Sequence, residues 1–277
     1  MGERKDKPTR RDYREEINRL RLLDDNFMTA VFSRNEKAVQ LVLRIIIGKQ
    51  DLIVVSVKVQ DEKHNLRGRS VRLDVHAIDS KGVHYDIEIQ RSDSGADPRR
   101  ARFNLSLMDS ENLGKSLDFT KLPETYIIFI TESDIFGRGL PMYHIDRRLR
   151  ETGELFEDKA YIIYVNGEYR AENAIGRLMA DFRETDPDKM HYEDLAEPAR
   201  YLKGTEEGVQ SMCRIFEKVA DENFLKGKQE GREEGMQEGR EEGKAELVKE
   251  MRRSMSGEQI ASLLNLPLDR VLSLLGD

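Results

Sequence analysis

The chain of 277 residues has a single cysteine, Cys213. No intramolecular disulfide can form, so the fold has to be held by its core. The expected compartment is the reducing cytoplasm. Tryptophan is absent, which leaves the core to aliphatic side chains, Phe and Tyr. No run approaches the ~20 apolar residues that a membrane helix needs; the densest, Leu41–Gly48, is broken by Arg44. No apolar segment follows the basic start, so no secretory signal is expected. The five histidines (His64, His76, His84, His144, His191) show no HExxH or His-x-His spacing, and no glycine-rich phosphate loop follows a strand. Basic excess is missing too. The formal charge is −7, so a nucleic-acid surface would have to be a local basic cleft rather than a basic coat.

What is present centres on residues 70–90, SVRLDVHAIDSKGVHYDIEIQ. Val71, Leu73, Val75 and Ala77 alternate with polar residues, as do Val83, Tyr85, Ile87 and Ile89. Between the two runs lies Ser80-Lys81-Gly82. Period-2 alternation around a glycine turn predicts a β-hairpin. Centring it on Lys81 places Asp74 opposite Glu88, Arg72 opposite Gln90 and His76 opposite Asp86. Two carboxylates facing each other repel, by up to roughly 1 kcal/mol. A hard divalent cation such as Mg²⁺ would turn that repulsion into ligation. The alternative is the wet face of an antiparallel sheet, where charges are ordinary.

Around the hairpin the periodicities suggest an order. Phe27, Val31, Phe32, Val39, Val42, Leu43 and Ile46 recur at helical steps over 24–47, with Asp24 or Asp25 as cap and Gly48 as stop. Residues 52–60 read as a strand and 61–69 as a polar loop. Asp97 and Pro98 open a helix over 98–112. Its first turns hold Arg99, Arg100 and Arg102, where the helix dipole does not favour cations; they fit either an anionic partner such as phosphate or ion pairs with Asp97 or Glu111. Residues 125–131 are nearly all apolar, as in a central buried strand. Tyr161–Val165 is a further strand, and 174–182 and 195–224 read as helices.

Several stretches resemble the Rpn family, recombination-promoting nucleases and putative transposases with a PD-(D/E)XK nuclease domain. Asp74 followed by Glu88-x-Gln90 is similar to the nuclease motif, with Gln in place of Lys. Leu23–Phe32, Asp97–Asp109 and Leu122–Thr131 with Asp134–Tyr143 are similar to other family segments, in the right order. The resemblance covers roughly residues 23–175. It implies an α/β, restriction-endonuclease-like PD-(D/E)XK core: a mixed central sheet flanked by helices, here with an added helical C-terminal tail. It also implies a metal-dependent DNA endonuclease linked to recombination or mobile elements. Asp74 and Glu88 would hold Mg²⁺ or Mn²⁺, with Asp24 or Glu36 as candidates for a further carboxylate. Gln90 would orient a water, and Arg72, Arg99, Arg100 and Arg102 would meet the phosphates of double-stranded DNA. The alternative is an inactive binding module on the same fold.

The expected organisation is a basic flexible arm over 1–22, a nuclease-like domain over 23–205, a helical segment with a Gly/Glu-rich linker over 206–250, and a small helical module over 251–277. Gly227, Gly231, Gly235, Gly239 and Gly243 recur every fourth residue. Each costs a helix roughly 1 kcal/mol relative to Ala, which favours a solvated linker helical in part; the other reading is a stripe for close helix approach. Ser256 with Gln259 suggests a capping box, and Asn265–Pro267 a turn to a last helix. Arg270 alone is basic in that helix, so a docking or homodimer module is expected rather than a DNA reader.

Overall fold

A computed structural model describes residues 10–63, 71–91, 93–113 and 118–275. Its chain divides into two compact units, Met1–Ile215 and Phe216–Asp277. The first contains α1 (Arg10–Arg19), α2 (Asp25–Phe32), α3 (Glu36–Ile47), β1 (Val54–Lys63), β2 (Val71–Asp79), β3 (His84–Gln90), α4 (Pro98–Asn112), β4 (Thr125–Thr131), β5 (Met142–Ile145), β6 (Ala160–Asn166), α5 (Ala174–Arg183), α6 (Glu193–Gly204) and the start of α7 (Glu206–Met251). The six strands form one sheet in the order β1-β2-β3-β4-β6-β5. The pairs β1/β2, β2/β3 and β5/β6 are antiparallel, and β3/β4 and β4/β6 are parallel. This is the expected mixed sheet flanked by helices.

Every residue of β4 is buried, which explains its unbroken apolar sequence: both faces of the sheet are covered here. The hairpin register is as expected, with His76 opposite Asp86 and Gly82 at the turn with φ +77°. The polar loop expected over 61–69 lies mostly outside the described residues. β1 already reaches Lys63.

The single helix expected over 24–47 is two. Arg34 has φ +55°, and Asn35 caps α3 by accepting from the Ala38 amide at 3.1 Å. The same side chain donates to the Val31 carbonyl at 3.0 Å, closing α2. Apolar periodicity runs across this break because both helices pack on the same core, so the period alone could not reveal it.

The arm expected over 1–22 forms α1 from Arg10, with Ile17 and Leu22 fully buried. Lys203 of α6 fastens it. Its ammonium donates to the carbonyls of Asn18 (3.2 Å), Leu20 (2.6 Å) and Thr185, and lies 4.8 Å from the centre of the Phe27 ring.

In the second unit α7 runs on to Met251, followed by α8 (Gly257–Leu264) and α9 (Leu268–Leu275). The glycine repeat is helical throughout, and an added Cβ at any of the five glycines would meet nothing within 4 Å. Among the described residues nothing packs against the stripe. Ser256 and Gln259 form the capping box, and Asn265 ends α8 in the left-handed region. Val248, Ile260, Ala261 and Val271 make a small core.

Lys203→Met removes a donor shared by three carbonyls. It is expected to destabilise the protein by about 2 kcal/mol, the net worth of hydrogen bonds from a charged donor, as a lower urea midpoint with unchanged slope.

Candidate active site

The β2–β3 ladder runs from Ile78/His84 to Val75/Ile87. Just beyond it, Asp74 Oδ2 accepts from the Ile89 amide at 2.9 Å. The carboxylate thus takes an amide where the strands part, next to Glu88.

The charged face of this hairpin is not wet. α4 lies across it, and Asp86 and Glu88 are 0% exposed. Asn104 of α4, also fully buried, donates from Nδ2 to Glu88 Oε1 (3.2 Å) and to Asp86 Oδ2 (3.3 Å). Arg100, one turn earlier, binds Glu88 Oε2 through Nη2 and the Gly95 carbonyl through Nη1 at 3.1 Å. Burial pushes the Glu88 carboxyl up to about 8; Asp74 adds to the rise, and Arg100 and Asn104 oppose it. Burial, then Glu88 and Asp74, raise Asp86 well above the carboxylate range.

Gln90 Nε2 is 3.4 Å from Glu88 Oε2. Its other end lies on Gly95, where an added Cβ would come 2.0 Å from Gln90 Oε1. Gly95 belongs to the 3-10 turn Asp93–Ala96, which carries the chain into α4. In the sequence this glycine signals a turn and nothing more; the structure uses it to make room for Gln90.

The other expected site residues separate. Arg99 pairs with the α4 cap, Asp97, at 2.7 Å and is 82% exposed. Arg102 is exposed. Arg72 falls in β2, but its side chain lies outside the described residues. Glu36 is exposed in the first turn of α3, where a negative charge suits the helix dipole. Asp24 stands at the N-cap of α2 but makes no cap bond with its side chain. Its carboxylate accepts instead from the Arg21 amide (2.8 Å) and Arg91 Nη1 (2.8 Å). Arg91 Nε and Arg21 Nη1 both reach Glu132 (3.2 and 3.0 Å). This ties Asp24 to the residue after Gln90.

The histidines, unremarkable by spacing, are brought together: His76 Nδ1 is 3.0 Å from Asp61 Oδ2, and its Nε2 is 3.2 Å from His84 Nδ1. Asn104 and Asp61 were not singled out by sequence. A polar residue on the core side of α4 was the available signal for Asn104.

Among the described residues, no group of three or more His, Cys, Asp or Glu side chains is placed to hold a metal ion. The donor set nevertheless suits a hard divalent cation, which is commonly held by one or two carboxylates and otherwise by water and phosphate. Asp86 Oδ1 and Asn104 Oδ1, both buried, have no hydrogen-bond partner among the described residues, so two oxygens beside Glu88 have acceptor capacity to spare.

The family model of PD-(D/E)XK nuclease family transposases matches residues 25–172, more than half of the chain. The chain belongs to that family. The match spans α2 through β6, and with it Asp74, Glu88, Gln90 and Arg100. No curated protein and no solved structure gives a significant match. Nucleases of this PD-(D/E)XK type usually use divalent metals. No helix among the described residues is long and apolar enough to cross a membrane.

An acid whose folded pKa lies above its unfolded value keeps a proton that the unfolded chain has lost. Stability therefore falls as pH rises from the ordinary glutamate range toward about 8. In EDTA, the wild-type Tm is expected to drop over this window, and Glu88→Gln to flatten the drop. Parallel Tm–pH curves for the two proteins would show that Glu88 carries no shifted proton.

Proposed function

We propose that the chain is a metal-dependent DNA endonuclease that hydrolyses phosphodiester bonds. The observation that carries this reading is the convergence of Asp74, Glu88 and Gln90 beneath Arg100, at the end of β3. Asp74 and Glu88 would hold Mg²⁺ or Mn²⁺. When bound, the cation would polarise the scissile phosphate and lower the pKa of an attacking water.

The chain's own residues do the rest. Gln90 offers one amide donor and one acceptor, enough to orient a water but without the positive charge of a lysine. Arg100 supplies that charge from α4. A guanidinium presents several donors in a fixed fork that matches phosphate oxygens, and Arg100 is 35% exposed, so it is open to substrate. Arg72 is the other source of charge. Arg99 and Arg102, exposed on the outer side of α4, suit phosphates further along the duplex. Asp24 is better placed to hold Arg91, and through it the Gln90 backbone, than to bind metal; Glu36 remains a rival for a further carboxylate. Self-association would run through the C-terminal unit, in the cytoplasm, with a role in recombination or mobile elements.

A second reading has its own support. Arg100 already engages Glu88, and Gln90 replaces the usual lysine. Both suit an inactive module that keeps the fold and binds DNA without cutting.

Supercoiled-plasmid cleavage separates the two. With Mg²⁺ or Mn²⁺ the wild type is expected to nick or linearise, and EDTA and Asp74→Ala/Glu88→Ala to abolish it. Arg100→Ala is expected to slow cleavage by about 10²-fold, the usual effect of removing one donor to developing charge. No cleavage by folded wild type with either metal would favour the binding module.

A further inference from the structure

Between β4 and β5 the chain makes a turn, Asp134–Tyr143, that the proposed chemistry does not use. Asp134 organises it. Its carboxylate accepts from the Phe136 amide (3.2 Å), the Gly139 amide (2.7 Å) and the Tyr143 hydroxyl (2.7 Å). Gly137 and Gly139 have φ +61° and +67°, a region that β-carbon-bearing residues rarely enter. Arg138 stands between them at the tip. It is exposed, and its side chain has no partner among the described residues.

The base of the turn is fixed at both ends. Phe136 packs on Tyr143 (4.7 Å between ring centres) and edge-on against Tyr164 (5.3 Å). Tyr164 in turn donates to the carbonyl of Ala96 at 3.1 Å, in the turn that leads into α4. Asn166, at the end of β6, donates to the carbonyls of Leu140 and Pro141. A long, exposed side chain is thus mounted on a backbone held by several hydrogen bonds. A core does not need such a tip.

Topology says where the tip lies. β3, β4 and β6 are parallel, and Gln90, Thr131 and Asn166 are register partners at their C-terminal ends. The Asp134 turn leaves from this edge, as the path to α4 does. In open α/β sheets ligands bind outside the carboxyl ends of the strands. Charge at this edge is already partly spent. Arg21, Arg91 and Arg183 are paired with Asp24 or Glu132, whereas Arg138 is not.

We propose that the Asp134–Tyr143 turn is a second DNA-holding element, with Arg138 placed against a backbone phosphate of the duplex beyond the cleavage centre. The inference rests on the endonuclease reading for its substrate but not on catalysis. A protein whose net charge is −7 gains affinity for DNA from a few well-placed cations rather than from its overall field. A preformed tip costs little ordering entropy on binding.

The test is fluorescence polarisation of a labelled duplex with the full-length protein in EDTA, over a salt series. Arg138→Ala is expected to weaken binding about tenfold and to lower the log K–log[salt] slope by about 1. Arg138→Lys should keep most of the slope. Asp134→Asn, which loosens the tip and leaves Arg138 in place, should weaken binding with the slope retained. Arg232→Ala, removing an equal charge from α7, should change nothing. Wild-type affinity and slope in Arg138→Ala, or an equal loss in Arg232→Ala, would overturn the proposal while leaving plasmid cleavage untouched. Binding that depends on Arg138 in a protein that never cuts would instead sustain it and sink the endonuclease reading. A wild type that binds no duplex at any salt overturns this proposal, and plasmid cleavage with metal then decides the endonuclease reading.

Discussion

Asp86 and Glu88 are carboxylates withdrawn from water, and everything around them is arranged to make that tolerable. An isolated buried charge costs several kcal/mol even after relaxation. Here Glu88 is met by a guanidinium and an amide, and its proton affinity rises until the acid form persists near neutrality. α4 is the helix that answers this demand. Its buried side carries Asn104 and, at the rim, Arg100 among Ala101, Leu105 and Met108. An all-apolar helix would cover the strands equally well and leave two carboxylates without donors.

That constraint reaches outward through the path into α4. Arg100 reaches Glu88 while also holding the Gly95 carbonyl, so the 3-10 turn and the α4 cap are set together. Gly95 has no β-carbon where Gln90 passes. On the other side of β3, Asp24, Arg21, Arg91 and Glu132 close a ring of ion pairs. These pairs are partly exposed and individually weak. Their worth lies in geometry: they join the start of α2 to the ends of β3 and β4, which fixes the strand end that carries Gln90. The edge is thereby stiff on both sides of the candidate site.

Much of this was legible in the sequence because alternation is a local property. The hairpin, its register, α4 over Pro98–Asn112 and β4 over Thr125–Thr131 follow from period, turn and cap. The Asp74–Glu88–Gln90 set followed from register and resemblance together. What escaped depended on third partners. Nothing in residues 70–90 says that their polar face lies under a helix rather than in water, since polar alternation is the same in both cases. The break at Ser33–Asn35 was hidden because both helices present apolar residues to one core. Asp24 sits at the cap position, yet Arg91, distant in sequence, takes its carboxylate. The glycine repeat reads as a linker on propensity, but charged and amide side chains at helical spacing, with Gln229 on Glu233 at 3.0 Å, accompany a continuous helix; a penalty summed residue by residue ignores them.

The replacement of lysine by Gln90 makes physical sense in this setting. A lysine at position 90 would bring a second cation to Glu88 Oε2, which already accepts from Arg100. A lysine there would compete with Arg100 for the same carboxylate oxygen. With Gln90 the strand supplies a neutral group able to hold water by one end while the helix supplies the charge. The positive group then sits on the first turns of α4, beside Arg99 and facing the solvent edge, rather than inside the strand pair. An arginine there can bind Glu88 in the absence of substrate and meet a phosphate with the same fork. The departure from the lysine pattern and the arginine-rich start of α4 are thus two halves of one arrangement, and neither is explained well without the other.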